Sequence, residues 1–166
     1  TDVTGLTTVN NVSSLNDLTL NNLGMLPTLD INTNSDVTTL NFSNAAMSGG
    51  TDDLAITLNG TTNGATINLT SVAGSANTIE TVSVVSASVP NTIDLNTNAV
   101  GATTVEVTGS QNLDLGTVES LVATVSAGDF TGNLTMTAGT AGTAITSGAG
   151  ADILTGNAGS DNLITG

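Results

Sequence analysis

A short apolar-x-apolar signature recurs along this chain, and it limits the possible folds more than any other feature. It appears at Leu18/Leu20, Leu29/Ile31, Leu40/Phe42, Ile56/Leu58, Ile67/Leu69, Val82/Val84, Ile93/Leu95, Val105/Val107, Leu113/Leu115 and Leu134/Met136. Residues two apart share one face of a strand, so each pair marks a half-buried strand. The commonest step is eleven residues, as from Leu18 to Leu29 and from Leu29 to Leu40, which is the length of one short strand and one turn. Between the pairs lie segments such as 32–36, 59–64 and 96–98, rich in Asn, Gly, Thr and Ser. These residues close tight turns and tolerate positive φ. No stretch sustains the apolar spacing of a helix, and β-branched residues abound.

Short strands at regular spacing pack either as an antiparallel sandwich or as a parallel solenoid. Hydrophobic residues make up 38% of the chain but aromatic residues only 1%. A sandwich core usually draws on bulky aromatics, whereas a solenoid with two strands per coil has a thin interior of stacked aliphatics. Stacked coils also align Asn and Thr into hydrogen-bonded ladders, expected here at the turns. The expected fold is therefore an all-β parallel solenoid, or β-roll. The alternative is an antiparallel β-sandwich, with insertions near 44–53 and 71–80 as its loops.

The chain has 14 acidic residues and no Lys, Arg or His, giving a net charge of −14. Without cationic side chains it has nothing to neutralise phosphates, which argues against nucleic acid and against anionic lipid as partners. It also lacks Cys and Tyr, which leaves only carboxylates and hydroxyls as chemical groups, and no enzyme activity is expected. Like charges in a compact fold repel, which calls for bound cations. The absence of Cys suits an exported protein that does not rely on disulfides. The regular apolar spacing opposes a reading as a disordered polar tract. Thr1 is not an initiator methionine and Gly166 falls inside a repeat, so the chain is expected to be part of a longer protein.

The sharpest motif lies at the end, where residues 147–155 are followed directly by 156–164. Aligned in nines, Gly150 meets Gly159, Asp152 meets Asp161 and Leu154 meets Leu163. Glycines permit a tight turn whose carbonyls face a hard cation, the Asp adds carboxylate oxygen, and the aliphatic residue anchors a three-residue strand. The expected calcium-site residues are therefore Asp152, Asp161, Gly148, Gly150 and Gly159. The bland alternative is that both aspartates cap turns. Asp52 and Asp53, beside Gly49 and Gly50, are weaker candidates that also read as solvated loop carboxylates. Asp30, Asp94, Glu106 and Asp114 sit between the apolar members of their strands and should point outward.

The two nonapeptides resemble the calcium-binding G-G-x-G-x-D-x-(aliphatic)-x unit of RTX, or repeats-in-toxin, proteins. Both depart from it. Ser147 stands where one copy would have its first Gly, and Asn157 where the other would have its second. The resemblance implies that successive nonapeptides lie on opposite sides of a β-roll and that a full calcium site joins repeats two apart, eighteen residues along. The following partners would fall beyond Gly166. The preceding positions hold Leu134 and Thr143 rather than Asp, so residues 138–146 resemble a repeat that has lost its carboxylate. The chain thus divides into solenoid-like repeats over 1–137 and RTX-like repeats over 138–166.

Two further features are similar to bacterial surface-layer (S-layer) proteins of the RTX type. One is the phrase 78–84 (TIETVSV), with its echo 117–122 (TVESLV), which resembles their recurring strands; the other is the Thr-, Ala-, Gly- and Asn-rich, lysine-free texture. This resemblance implies type I secretion, folding outside the cell as calcium binds, and a lattice of the protein's own copies at the bacterial cell surface. The alternatives are a repeat module of a large secreted adhesin and the repeat portion of a secreted hydrolase. Five N-x-S/T sequons, at Asn11, Asn41, Asn59, Asn68 and Asn133, arise freely in a sequence so rich in Asn and Thr.

Overall fold

The computed structural model describes residues 1–33, 36–73 and 75–166. Eight strands form one sheet in the order β1 (Thr8–Val12), β3 (Thr28–Asn32), β5 (Asp53–Asn59), β7 (Thr81–Ser86), β9 (Thr104–Gly109), β11 (Thr124–Ser126), β13 (Ala144–Thr146) and β15 (Asn162–Ile164). Seven form the other: β2 (Leu18–Leu23), β4 (Val37–Phe42), β6 (Ala65–Ser71), β8 (Asn91–Asn96), β10 (Leu113–Thr117), β12 (Leu134–Thr137) and β14 (Ile153–Thr155). All these pairings are parallel. The chain visits the two sheets alternately, so each coil contributes one strand to each. This is the two-sheet parallel solenoid that the aliphatic pairs and scarce aromatics imply, and the antiparallel sandwich does not form.

All ten apolar pairs fall in strands, and every pair except the half-buried Leu18/Leu20 of the first coils is buried between the sheets. Both phenylalanines, Phe42 and Phe130, are fully buried in that same core. Coil length varies along the stack. Thr8 lies beside Thr28, twenty residues on. Asp53 lies beside Thr81 and Ala65 beside Ile93, twenty-eight residues on. Thr135 lies beside Ile153 and Ala144 beside Asn162, only eighteen residues on.

The insertions near 44–53 and 71–80 are the β4–β5 and β6–β7 corners, on one edge of the stack. They feed Ala46, Met47 and Ile79 into the core, and the Asn77 amide donates to the Asn44 carbonyl at 3.0 Å. Of the expected turn 32–36, residues 34 and 35 lie outside the described residues, as does residue 74 of the second insertion.

The polar ladders form at the corners, where the Ser13 and Thr33 hydroxyls of successive coils lie 3.2 Å apart and Asn112 Oδ1 accepts the Asn133 N–H, and along the strands as well. Asn41 donates to Thr70 at 3.1 Å, Asn96 to Asn68 at 2.8 Å and Asn68 to Thr39 at 3.5 Å. These pairs are direct neighbours in register on β4, β6 and β8, where a repeated strand spacing holds an amide beside the next hydroxyl or amide. All five sequon asparagines are engaged: Asn41 and Asn68 in the ladders, Asn11, buried inside, donating to Thr38 at 2.9 Å, and Asn59 and Asn133 accepting at corners. The echo 117–122 is mostly a corner, not a strand: only Thr117 belongs to β10, and Val118 and Val122 turn inward on either side of the bend.

Candidate calcium-binding turns

The two nonapeptide turns occupy opposite edges of the stack. Residues 147–152 join β13 to β14 across one edge, and residues 156–161 join β14 to β15 across the other. Asp152 and Asp161 are therefore not brought together. The strands β14 and β15 are three residues long and pair with strands eighteen residues back, so successive nonapeptides alternate between the sheets. Leu154 packs on the core and Leu163 sits beside Ile145, which is fully buried.

Close stacking explains the glycines. A Cβ at Gly148 would lie 1.8 Å from the Phe130 carbonyl oxygen, and one at Gly150 would lie 2.2 Å from that of Gly132. Both contacts are with the residue eighteen positions earlier, one coil down. Gly159 has φ +100°, and a Cβ there would meet the Gly142 nitrogen at 2.5 Å. No side chain fits between coils this close, and at Gly159 the left-handed backbone adds a second demand.

The aspartates reach to the same neighbours. Asp152 Oδ1 accepts the Leu134 N–H at 2.8 Å, and Asp161 Oδ1 accepts the Thr143 N–H at 2.9 Å. Leu134 and Thr143 are the two preceding positions that hold no carboxylate, and their backbone amides meet the aspartates of the next coil. At Asp152 the tie is reciprocal, because Asn133 Oδ1 accepts the Ala151 N–H at 2.9 Å. One coil earlier, Asn112 Oδ1 accepts the Asn133 N–H at 3.0 Å. Turn capping and calcium ligation are thus not exclusive for these residues, since each carboxylate has a second oxygen.

The second oxygens differ. Asp161 Oδ2 accepts the Asn157 N–H at 2.8 Å, which closes its own turn. Asp152 Oδ2 is buried with no hydrogen-bond partner among the described residues, and the Ser147 hydroxyl of the same turn is in the same state. A buried carboxylate oxygen without a donor is costly unless a cation or water meets it. Calcium takes six to eight oxygens, and no group of three or more acidic side chains converges among the described residues. The 147–152 turn therefore offers donors of the kind calcium takes, with turn carbonyls needed for the rest, whereas each Asp161 oxygen already accepts one amide and keeps one lone pair free.

The weaker candidates turn apart. Asp52 accepts the Gly49 N–H at 2.9 Å, while Asp53 accepts the Ser83 hydroxyl at 2.8 and 3.0 Å. Next to them Glu80 Oε1 accepts the Thr78 hydroxyl at 2.6 Å and Oε2 accepts the Asp52 N–H at 2.7 Å. The Thr78 hydroxyl, and after it the Asp52 amide, hold the Glu80 carboxyl below its ordinary range. Of the outward acids, Asp94 and Glu106 are exposed and Asp30 and Asp114 half-buried. Glu106 lines a shallow hollow of about 240 Å³ with Thr108, Ser126 and Asp129.

Sequence reasoning missed the most heavily bonded polar residue, Asn91, which is 2% exposed. Its Oδ1 accepts the Gly60 N–H at 2.8 Å, the Thr61 N–H at 2.9 Å and the Thr61 hydroxyl at 3.1 Å. Its Nδ2 reaches the Ser86 hydroxyl at 2.9 Å and the Val89 carbonyl at 2.8 Å. One amide side chain thus ties the corner before β6 to the corner before β8. Its only sequence signal is its place after Pro90 at the start of a strand, which is hard to pick out among so many Asn residues.

The fold and the turns define a two-sheet parallel β-solenoid with acidic, glycine-rich corners. Comparison with protein-family models, with curated proteins and with solved structures gave no match in any of the three.

Proposed function

We propose that this protein is a rigid, calcium-stabilised structural module of an extracellular assembly, of which a bacterial surface layer made of its own copies is the leading case. The observation that supports it best is the unbroken stack itself. Eight strands in parallel register, at about 4.8 Å each, give a column of roughly 35 Å whose sheets run without interruption. Such a column spans distance and offers flat, repeating faces. The RTX resemblance of 147–164 supplies secretion and calcium, and the lone Asp152 oxygen supplies the place where a cation is most needed. Residues Asp152 and Ser147, with carbonyls of the 147–152 turn, would hold the ion. Its charge would offset part of a net −14 for which the sequence has no cationic side chain.

The test separates the two roles of Asp152. In Asp152→Asn an amide oxygen still accepts the Leu134 N–H, but the anionic ligand is gone; in Asp152→Ala both are gone. Melting without calcium should fall for the alanine variant and change little for the asparagine variant. The rise in melting temperature on adding calcium should shrink in both. An undiminished calcium response in Asp152→Asn would sink the metal assignment, and a protein that stays monomeric by light scattering across calcium concentrations would sink self-assembly.

A further inference from the structure

We propose that Asn63 is a site of spontaneous deamidation, and that the fold shields the chemically equivalent Asn59. Two Asn-Gly steps occur, Asn59-Gly60 and Asn63-Gly64, four residues apart in one corner. Asn-Gly is the dipeptide in which the following backbone nitrogen is least hindered from attacking the Asn side chain, because glycine carries no Cβ. In the unfolded protein the two steps should react alike. The fold makes them different.

At Asn59 both reacting groups are held. The Gly60 N–H donates at 2.8 Å to the buried Oδ1 of Asn91, and Asn59 Oδ1 accepts the Ser88 hydroxyl at 3.0 Å. Gly60 itself is buried and Asn59 is half-buried at the end of β5. Attack would require the nitrogen to leave an acceptor that also binds Thr61 twice. At Asn63 the side chain is exposed and makes no hydrogen bond among the described residues. Its following nitrogen is held only by the open turn, at 3.2 Å to the Thr61 carbonyl, with Gly64 at φ +82°. Turn bonds of this kind, in solvent, open far more often than bonds in the core.

The reaction needs only water. Hydroxide or water removes the Gly64 amide proton, and the nitrogen pair bonds to Cγ of Asn63. The bond between Cγ and Nδ2 breaks and ammonia leaves, which closes a five-membered succinimide. One water then opens the ring at either carbonyl, giving aspartate or isoaspartate at position 63 with no change of oxidation state. Either product adds a negative charge to a molecule without cationic side chains. Isoaspartate also moves a methylene into the backbone, two residues before the buried Ala65, which is in register with Ile93. The lesion would therefore press on the start of β6, in the widest part of the stack.

The experiment is to age the folded protein in mildly alkaline buffer, quench with acid and digest with pepsin, since trypsin has no Lys or Arg at which to cut. Mass spectrometry scores the gain of one mass unit at each Asn-Gly step, and isoaspartyl methyltransferase labelling identifies the rearranged product. In the folded protein, position 63 should convert at least roughly tenfold faster than position 59, the scale set by one buried hydrogen bond. In denaturant the two rates should converge. Equal rates in the folded state, or faster loss at Asn59, would overturn the proposal, as would a tenfold difference that persists in denaturant.

Discussion

The wide coils around β4–β8 and the narrow coils around β12–β15 solve one problem, closing a corner between two sheets, in opposite ways. In the wide coils, with steps of about twenty-eight residues, the corner is filled by side chains. Met47 and Ile79 add apolar volume, and Asn91 replaces the missing backbone pairing with its own amide. In the narrow coils, with steps of eighteen, side chains are removed instead. Glycines let one corner sit directly on the last, and aspartate and asparagine oxygens collect the amides left over. A wide corner tolerates variation in length because its filling can repack. A narrow corner does not, because backbone lies on backbone.

The sharpest way to break this contrast is at a narrow corner. Gly148→Ala should destabilise by roughly 3 kcal/mol or more, since the coil must open to admit a methyl group 1.8 Å from the Phe130 oxygen. Gly128→Ala, with nothing within 4 Å of the added atom, should stay within about 0.5 kcal/mol. Urea unfolding measures both, and equal effects would remove backbone contact as the organising feature of this end. Next in size is the wide corner's own anchor. Asn91→Ala strands the Gly60 and Thr61 amides, each costing about 1–3 kcal/mol when buried and unpaired. Asn133→Ala at an exposed narrow corner, which frees one amide to water, should cost under about 1 kcal/mol.

The smallest expected effect is also the most specific. The folded-state pKa of Glu80 is lowered, first by the Thr78 hydroxyl and then by the Asp52 amide. Its stabilisation is therefore complete above the ordinary carboxylate range and lost as pH falls through the lowered value. Glu80→Gln should melt slightly below the parent at neutral pH, and the difference should vanish in acid. A difference that persists at low pH would mean that the glutamate acts by shape and not by charge.

The solenoid was legible in the sequence because nearly every strand with two buried positions announces itself as an apolar pair. The exceptions follow from the same rule. In β1 the second inward position is Asn11, paired with Thr38 across the interior, so no apolar pair exists to be seen. In β11 and β13 a three-residue strand buries one side chain only, Val125 or Ile145. The phrase at 78–84 runs into β7, but its echo at 117–122 misled because a buried Val-x-x-x-Val can bracket a corner as well as ride a strand. In the candidate site, spacing revealed Asp152, Asp161 and their glycines. It did not reveal that Asn91, Asn112 and Asn133 do related work, because asparagine is so common here that no single one stands out.

The alternation of coils between two parallel sheets also sets how the column bears load. Tension along the stack pulls across the strands, not along them, so bonds between coils fail in succession and never all at once. Each failure releases one coil. A narrow coil of eighteen residues then lets out roughly 60 Å of backbone and a wide one of twenty-eight roughly 95 Å, at about 3.4 Å per residue. The column would lengthen in unequal steps, with the order of the steps recording which corners are closed by side chains and which by bare backbone.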